Sequence, residues 1–172
     1  MSEREHLLHP IPPVWNRESR VLVLGSFPSV KSRETGFFYG HSQNRFWRVL
    51  AAVFDSPLPG TIEEKKRLLL ENKIALWDVI ASCEISGSAD SSIKNAKPND
   101  ILPIINESRI SAVFANGNTA ARLYEKYVFP SVKIRAAVLP STSPANARFT
   151  LEMLIESWSV IKEPLNKSQH TL

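Results

Sequence analysis

Two short segments of the sequence concentrate residue types that could bind a planar, hydrogen-bonding ligand. Residues 25–29 read GSFPS, and residues 39–47 read YGHSQNRFW. The first segment follows the apolar run at residues 21–24, which is typical of a buried strand in a parallel sheet. Ligands of such sheets bind beyond the carboxyl ends of the strands. Because aromatic rings and small polar groups meet here, we expect a site that suits an extruded nucleic-acid base.

A third segment, VLPSTSPANAR at residues 138–148, completes a pattern that resembles a known family. GSFPS, YGHSQNRFW and VLPSTSPANAR, in this order, resemble the uracil-DNA glycosylase superfamily, and most closely its hypoxanthine (deoxyinosine) branch. Three segments in order are more specific than any one of them, and they span most of the chain. The second segment also resembles mismatch-specific uracil/thymine DNA glycosylases.

The resemblance implies that Ser26, Phe27 and Tyr39 bind the base. In the related mismatch-specific enzymes an aromatic residue at the place of Tyr39 stacks on the extruded base; the alternative is an ordinary core or surface aromatic. Most superfamily members have Asp or Asn at the third position of the first segment, to activate or orient water. This chain has Phe27 there. The hypoxanthine branch shares this departure, which argues against simple uracil-glycosylase activity.

Asn44 is the candidate that replaces the missing acid or amide as a catalytic residue. Its amide could orient water or hydrogen-bond the departing purine, although it lacks the basicity to deprotonate water. The alternative is that Asn44 only caps the helix predicted to start near it, where apolar residues recur at helical spacing. The resemblance favours a functional role, and one side chain can fill both.

Asp78 is the second catalytic candidate, because it ends the second predicted strand, where related glycosylases carry a base-reading Asn. A carboxylate there could accept an N–H from hypoxanthine or serve as a base. The alternative is an Asp that caps a turn or a helix on a solvated loop.

The remaining candidates are serines, threonine, prolines and an amide that the resemblance assigns to DNA binding. They are Pro28, Ser29, Pro140, Ser141, Thr142, Ser143 and Asn146. Prolines stiffen a hydroxyl-rich loop that can approach phosphates, and Pro144, Ala145 or Asn146 would form the wedge that enters the gap left by the base. The alternative is a plain proline-rich turn. The segment Asn116-Gly117-Asn118 stands at the start of another predicted helix, where capping is the favoured interpretation over phosphate binding.

Predicted strands alternate with predicted helices along the chain. The strands are expected at residues 21–24, 74–80, 110–115 and 133–139, and residues 82–92 are expected to form a loop. This alternation predicts a three-layer α/β domain with a central, largely parallel four-stranded sheet flanked by helices, as the resemblance also implies. We expect one domain over residues 1–172, with an irregular arm at 1–19 anchored by Trp15 and a flexible tail at 163–172.

Composition excludes several classes of protein. The single cysteine, Cys83, excludes an internal disulfide and the four-cysteine iron–sulfur cluster of some related glycosylases. No histidine spacing indicates a metal site, no glycine-rich motif indicates a nucleotide cofactor, and no apolar run has the length of a membrane span. The net charge of +4 favours a polyanionic partner weakly. We therefore expect a cytoplasmic monomer without metal or cofactor.

These observations predict a monofunctional DNA glycosylase that releases a deaminated base, hypoxanthine in deoxyinosine, and leaves an abasic site. A lyase would need an amine at the sugar, and the resemblance offers no catalytic lysine. The alternatives are a uracil or mismatch-specific DNA glycosylase and, from another class, a non-catalytic module that binds damaged or single-stranded DNA. Phe27 at the usual catalytic position makes the second alternative credible.

Overall fold

The computed structural model describes residues 4–86 and 92–167, with the side chain of Lys167 left aside. Its strands are β1 (Glu5–Leu8), β2 (Val21–Gly25), β3 (Ile74–Asp78), β4 (Ile80–Ile85), β5 (Lys94–Pro98), β6 (Ala112–Asn116) and β7 (Ala136–Leu139). Its helices are α1 (Val30–Thr35), α2 (Phe46–Val53), α3 (Ile62–Glu71), α4 (Leu102–Glu107), α5 (Asn118–Tyr127), α6 (Phe129–Val132), α7 (Leu151–Trp158) and α8 (Lys162–Lys167), with a 3-10 turn at Ser159–Ile161.

A four-stranded parallel sheet in the order β3-β2-β6-β7 forms the centre of the molecule. Residues 21–24 of β2 are at most 1% exposed, because both faces of this strand are covered. Val21 and Val23 face one hydrophobic core, and Leu22 and Leu24 face the other. This alternation follows from the pleat of a strand. The predicted three-layer α/β fold with a parallel four-stranded sheet is confirmed.

Aromatic side chains fill one of the two cores. Phe46 from α2 and Trp158 from α7 are fully buried, and their rings meet edge to face with centroids 5.8 Å apart. The other core gathers aliphatic residues of α4 and α5 around the buried ring of Tyr124. Burying an aromatic or a large aliphatic side chain stabilises the fold by about 1.5–3 kcal/mol. The two cores therefore hold the carboxyl ends of the strands in fixed positions.

A second, antiparallel sheet in the order β1-β4-β5 is absent from the expectations above. Glu5 pairs with Ile85 and Leu8 with Ser82, so part of the arm expected to be irregular is a strand. The loop expected at residues 82–92 is also wrong in its first part, since β4 continues to Ile85. Strand β1 pairs with a strand more than seventy positions away, and such pairing leaves no local periodicity to detect.

The rest of the N-terminal arm covers the open edge of the parallel sheet. Val14 exchanges two backbone hydrogen bonds with Leu76 of β3, at 3.0 and 2.9 Å. Ile11 and Val14 are buried, whereas Trp15, the expected anchor, is only half-buried. Pairing of this kind removes the unpaired N–H and C=O groups that an exposed edge strand presents. The arm is therefore part of the sheet system.

Helix boundaries depart from expectation at two places. Asn99 stands before a helix that the sequence predicts from Asp100 to about Glu107, and it is expected to cap this helix. Instead its amide donates to the carbonyl oxygens of Asp78 and Ile80 and so holds the connection between the two sheets. The flexible tail expected at residues 163–172 is helical as far as Lys167, and residues 168–172 lie outside the described part of the chain.

Within residues 4–86 and 92–167, none of the helices has the length and apolar character needed to cross a membrane.

Replacing Trp158 with Phe tests how the last helix supports the loop that begins at Pro140. The Trp158 indole donates a hydrogen bond to the Pro140 carbonyl oxygen at 3.0 Å. Its loss leaves that carbonyl without its donor, and we expect Trp158→Phe to lower the free energy of unfolding by about 1–3 kcal/mol, measured by urea denaturation. Trp15→Phe, at a half-buried site, is the matched control. Equal losses in the two variants would contradict this role.

Candidate active site

A cleft of about 590 Å³ opens at the carboxyl ends of the parallel strands. Ten of the twelve residues predicted as site residues line it. They are Ser26, Phe27, Pro28, Ser29, Tyr39, Asn44, Asp78, Ser141, Thr142 and Ser143. The loops after β2, β3 and β7 therefore converge on one cleft, as parallel topology requires.

Two predicted residues, Pro140 and Asn146, stay outside the cleft and support its wall. The Pro140 carbonyl oxygen accepts the indole hydrogen of Trp158. The Asn146 side chain donates to the carbonyl oxygen of Ser141 at 3.0 Å, within the same loop. Both residues shape the loop, and their expected contact with DNA stays a prediction.

Arg45, the residue directly before α2, holds the loop that follows β7 in place. Its guanidinium donates to the carbonyl oxygens of Ser143, at 2.9 Å, Asn146, at 3.0 Å, and Phe149. Its backbone N–H donates to the carbonyl oxygen of Thr142 at 3.1 Å. A rigid, planar guanidinium with several donors is well suited to hold an irregular loop of carbonyls. Sequence reasoning missed this role because the two partners lie about a hundred positions apart.

A chain of hydrogen bonds with a defined direction joins Asn116, Thr142 and Asn44. The backbone N–H of Thr142 donates to Oδ1 of Asn116 at 3.0 Å, so the Asn116 amide nitrogen faces the Thr142 hydroxyl and donates to it, also at 3.0 Å. The hydroxyl hydrogen then goes to Oδ1 of Asn44 at 2.9 Å. The orientation of both amides is assigned from these partners, since a backbone N–H can only donate.

The amide oxygen of Asn44 is fully engaged within the protein. It accepts the Thr142 hydroxyl and also the backbone N–H of Phe46, at 2.9 Å, which begins α2. A carbonyl oxygen has two lone pairs, so both are taken. The Asn44 NH₂ group donates to none of the described residues, and Asn44 lines the cleft. Arg45 holds the N-cap position of α2, and the oxygen of Asn44, the residue before it, accepts the first N–H of this helix. The NH₂ group of Asn44 is left for a ligand in the cleft.

The expected capping role of Asn116 is wrong. Gly117 occupies the N-cap position of α5, and no side chain caps that helix. Asn116 is the last residue of β6, just as Asp78 is the last residue of β3. The position of Asn116 at the end of a parallel strand could have indicated that it is a cleft residue, because side chains at these strand ends lie at the edge of the cleft.

Asp78 forms a buried polar contact in the cleft wall. Its side chain is 4% exposed, and its Oδ2 lies 2.8 Å from Nε2 of His9, whose side chain is 2% exposed. His9 belongs to the N-terminal arm and was not predicted as a site residue. Its contact with Asp78 joins residues 69 positions apart, so no spacing in the sequence could have indicated it.

Gly25 is required by the close approach of two cleft side chains. A Cβ atom at this position would lie 2.4 Å from Oδ1 of Asp78 and 2.9 Å from the hydroxyl oxygen of Tyr39. Both distances are shorter than a van der Waals contact. The glycine that ends β2 therefore lets the carboxylate and the phenol approach the backbone at the cleft wall.

Tyr39 is held in a defined orientation in the cleft wall. Its ring stacks on the buried ring of Phe46, with centroids 4.2 Å apart and an interplanar angle of 27°. Its φ of 53° lies in the left-handed region, which is uncommon for residues other than glycine. Because one face of the Tyr39 ring packs on Phe46, the ring forms a rigid part of the cleft wall.

Phe27 forms an apolar floor of the cleft and is 8% exposed. The His9 ring meets it edge to face at 5.9 Å, and the Arg33 guanidinium lies 5.8 Å from its centroid. Its neighbour Ser29 caps α1 by accepting the Ser32 N–H at 3.1 Å, while lining the cleft as well. The floor thus offers no acid or amide to a water molecule.

The described residues contain no group of three or more His, Cys, Asp or Glu side chains placed to hold a metal ion.

Comparison with known proteins places this cleft in a family. The family model described as uracil DNA glycosylase superfamily matches residues 12–162. A hypoxanthine DNA glycosylase of Methanosarcina acetivorans is 33% identical over 141 residues, which are 81% of this chain and 88% of the relative. A hypoxanthine DNA glycosylase of Methanosarcina barkeri is 32% identical over 140 residues, which are 80% and 87% of the two chains.

A solved structure shows the same architecture. The solution NMR structure of a Methanosarcina acetivorans protein, described as a candidate uracil DNA glycosylase, aligns with a TM-score of 0.74 and 28% sequence identity. The alignment covers 89% of this chain and 97% of that one.

Replacing Thr142 with Val or Ser tests the hydrogen-bond chain that orients Asn44. Valine matches the shape of threonine but leaves the Asn116 amide hydrogen without an acceptor and removes one donor to Asn44. We expect Thr142→Val to lower the free energy of unfolding by about 1–3 kcal/mol more than Thr142→Ser, which keeps the hydroxyl. Urea denaturation measures the difference. If serine were the more destabilising of the two, packing of the methyl group and not the hydrogen bonds would account for Thr142.

Proposed function

The chain belongs to the uracil-DNA glycosylase superfamily, and from this premise we propose that it hydrolyses the N-glycosidic bond of a deaminated base in DNA. The preferred base is hypoxanthine in deoxyinosine, and the product is an abasic site. The names of the two Methanosarcina relatives support this substrate. Phe27 supports it as well, because the residue lacks the acid or amide on which uracil-releasing members of the superfamily rely.

The observation that carries the proposal is the NH₂ group of Asn44, which faces the cleft because its oxygen is engaged elsewhere. As the C1′–N9 bond breaks, negative charge develops on the departing purine and positive charge on the sugar. A donor fixed in advance stabilises the charge on the purine without reorganising during the reaction. The NH₂ group of Asn44 therefore donates a hydrogen bond to an acceptor atom of the leaving base.

Water is the nucleophile in this mechanism, and its activation is a minor contribution. The oxygen of Asn44 has no free lone pair with which to hold a water hydrogen. An oxocarbenium-like sugar is strongly electrophilic and reacts with water that no strong base has deprotonated. The proton that the water loses after it forms the C1′–O bond ends on the purine anion, so that neutral hypoxanthine and the abasic sugar are the products. Stabilisation of the leaving base therefore replaces water activation as the main source of rate enhancement.

The protein is a monofunctional glycosylase, without lyase activity. A lyase attacks the sugar with an amine, yet no lysine is among the residues that line the cleft. Lys31 lies in α1, is exposed, and has its Nζ 3.9 Å from the carboxylate of Glu34.

The extruded base enters between the ring of Tyr39 and the floor formed by Phe27. Stacking on an aromatic side chain contributes about 1–3 kcal/mol for each base in single-strand binding, and the rigid Tyr39 ring is placed to supply it. The loop with Ser141, Thr142 and Ser143 contacts the DNA backbone, and the exposed Pro144 and Ala145 at its tip form the wedge. The Arg45 clamp keeps this loop rigid while it presses on the duplex.

All the residues of this mechanism come from one chain, so we propose a single glycosylase domain that acts as a monomer. We also propose a cytoplasmic location. The single cysteine supports it, because a chain with one cysteine forms no intramolecular disulfide and so does not depend on an oxidising compartment.

A second candidate function is a module that binds damaged DNA without cutting it. Phe27 favours this candidate, because it leaves no acid or amide at the position where most superfamily members are expected to hold water. A uracil or mismatch-specific glycosylase is the alternative within the same class.

An excision assay with four duplexes separates these candidates. Each duplex carries one inosine, uracil, xanthine or mismatched thymine, and alkali cleaves the abasic sites that the protein makes. We expect inosine to be cut at least about 10-fold faster than uracil under single-turnover conditions, the range within which pockets discriminate related substrates. Faster release of uracil would refute the hypoxanthine assignment. Tight binding of the inosine duplex without release of any base would establish the binding module.

A further inference from the structure

One positively charged side chain of the cleft has no part in the chemistry of Asn44. Arg33 lies in α1, is half-buried and lines the cleft. Its Nε is buried and forms no hydrogen bond with any residue at 4–86 or 92–167, and no carboxylate of these residues lies within ion-pair distance of its guanidinium. Because buried polar groups are nearly always hydrogen-bonded, an arginine in this state is left for a ligand.

The short helix α1 holds Arg33 in place through its neighbour Ser32, which is buried. The Ser32 N–H donates to Oγ of Ser29, the N-cap residue, at 3.1 Å. The Ser32 hydroxyl oxygen accepts the N–H of Gly40 at 3.0 Å. Because Gly40 follows Tyr39 directly, these bonds fix α1 against the segment that carries the ring of the cleft wall. Arg33 and Tyr39 are therefore presented to the cleft by one connected unit.

Phe27 orients the guanidinium of Arg33 without engaging its N–H groups. The centroid of the Phe27 ring lies 5.8 Å from Cζ of Arg33, within the range of a cation–π interaction. A carboxylate at position 27 would accept hydrogen bonds from the guanidinium and neutralise its charge, and an aromatic ring does neither. The apolar floor therefore keeps the charge and the donors of Arg33 for the base that the cleft receives.

We propose, resting on the glycosylase function proposed above, that Arg33 is a specificity-determining residue that binds the O6 and N7 atoms of extruded hypoxanthine. These two acceptors lie side by side on one edge of the purine, where they match the parallel N–H groups of a guanidinium. The charge of Arg33 also stabilises the negative charge that develops on the purine as the C1′–N9 bond breaks.

The edge with O6 and N7 separates hypoxanthine from two other bases. Adenine carries an amino group in place of O6, so two donors would face each other. Uracil has one acceptor on the corresponding edge, O4, beside a C–H group, and takes one of the two hydrogen bonds. Xanthine and guanine share O6 and N7, so Arg33 separates neither of them from hypoxanthine. Arg33 therefore selects against adenine and uracil.

The test combines a variant of Arg33 with the removal of one atom from the base. A duplex with 2′-fluoro-deoxyinosine resists cleavage, and the 7-deaza form of this nucleotide carries a C–H group in place of N7. We expect the parent protein to bind the first duplex at least about 5-fold more tightly than the second, and Arg33→Met to bind the two equally. Equal binding by the parent protein, or an unchanged ratio in Arg33→Met, would overturn the proposal.

A uracil duplex distinguishes contact with the base from contact with a phosphate. Loss of a phosphate contact would weaken the 2′-fluoro inosine and 2′-fluoro uracil duplexes by the same factor, and would lower the slope of log affinity against log salt concentration by about 1. We expect Arg33→Met to weaken the inosine duplex at least about 5-fold more than the uracil duplex and to leave the slope unchanged. Equal weakening with a lower slope would assign Arg33 to the backbone and overturn base recognition.

Arg109→Met is the matched control for the change of charge. Arg109 is exposed, precedes β6 at the edge of the sheet opposite the cleft, and lies 3.5 Å from Glu18. We expect this variant to keep the ratios of the parent protein. If it lowered them as much as Arg33→Met does, the net charge of the protein and not a contact with the base would account for the preference, against the proposal.

Arg33→Lys keeps the test decisive if Arg33→Met impairs folding, which thermal unfolding checks. Lysine retains a charge and donors for O6 and N7, so this variant should keep part of the preference for N7. A loss as complete as in Arg33→Met would overturn the role of the donors. None of these affinities depends on turnover. A parent protein that releases no base would therefore refute the proposed function and leave the test of Arg33 intact.

Discussion

The amide oxygen of Asn44 has two hydrogen-bond donors from the protein, and most of the cleft depends on this fact. One donor is the first N–H of α2, and the other is the Thr142 hydroxyl from the loop after β7. Thr142 is in turn hydrogen-bonded to Asn116 at the end of β6. Leaving a buried partner of such a network unsatisfied costs about 1–3 kcal/mol, so the orientation of Asn44 is tied to the packing of three elements.

The opposite wall of the cleft is built by the same principle with different residues. The backbone N–H of Ile11 donates to Nδ1 of His9, and Nε2 of His9 lies 2.8 Å from Oδ2 of Asp78. In both walls a backbone N–H, which can only donate, fixes the direction of a series of hydrogen bonds between side chains. The N-terminal arm therefore does two things: it covers the edge of β3 and it supports a cleft side chain.

The parallel sheet and the convergence of its loops could be predicted from the sequence, since buried strands and amphipathic helices leave local periodic signals. The two alternatives for Asn44, cap or site, could not be separated there, because they depend on which of its amide atoms the Thr142 hydroxyl and the Phe46 N–H engage. Asn116 and His9 were missed for a different reason. Their partners lie 26 and 69 positions away, and neither the β1-β4-β5 sheet nor the arm that carries His9 has a local pattern.

The most direct test of the account is the pair of variants Asn44→Asp and Asn44→Ala, measured for stability and for single-turnover excision of hypoxanthine. Aspartate keeps an oxygen for the Phe46 N–H and the Thr142 hydroxyl, so Asn44→Asp should stay within about 1 kcal/mol of the parent protein in free energy of unfolding. It replaces the NH₂ group by an acceptor, so excision should fall by about 100-fold or more, as it should in Asn44→Ala. Excision by Asn44→Asp at or above the rate of the parent protein would contradict the account, because it would show that position 44 acts as an acceptor toward water.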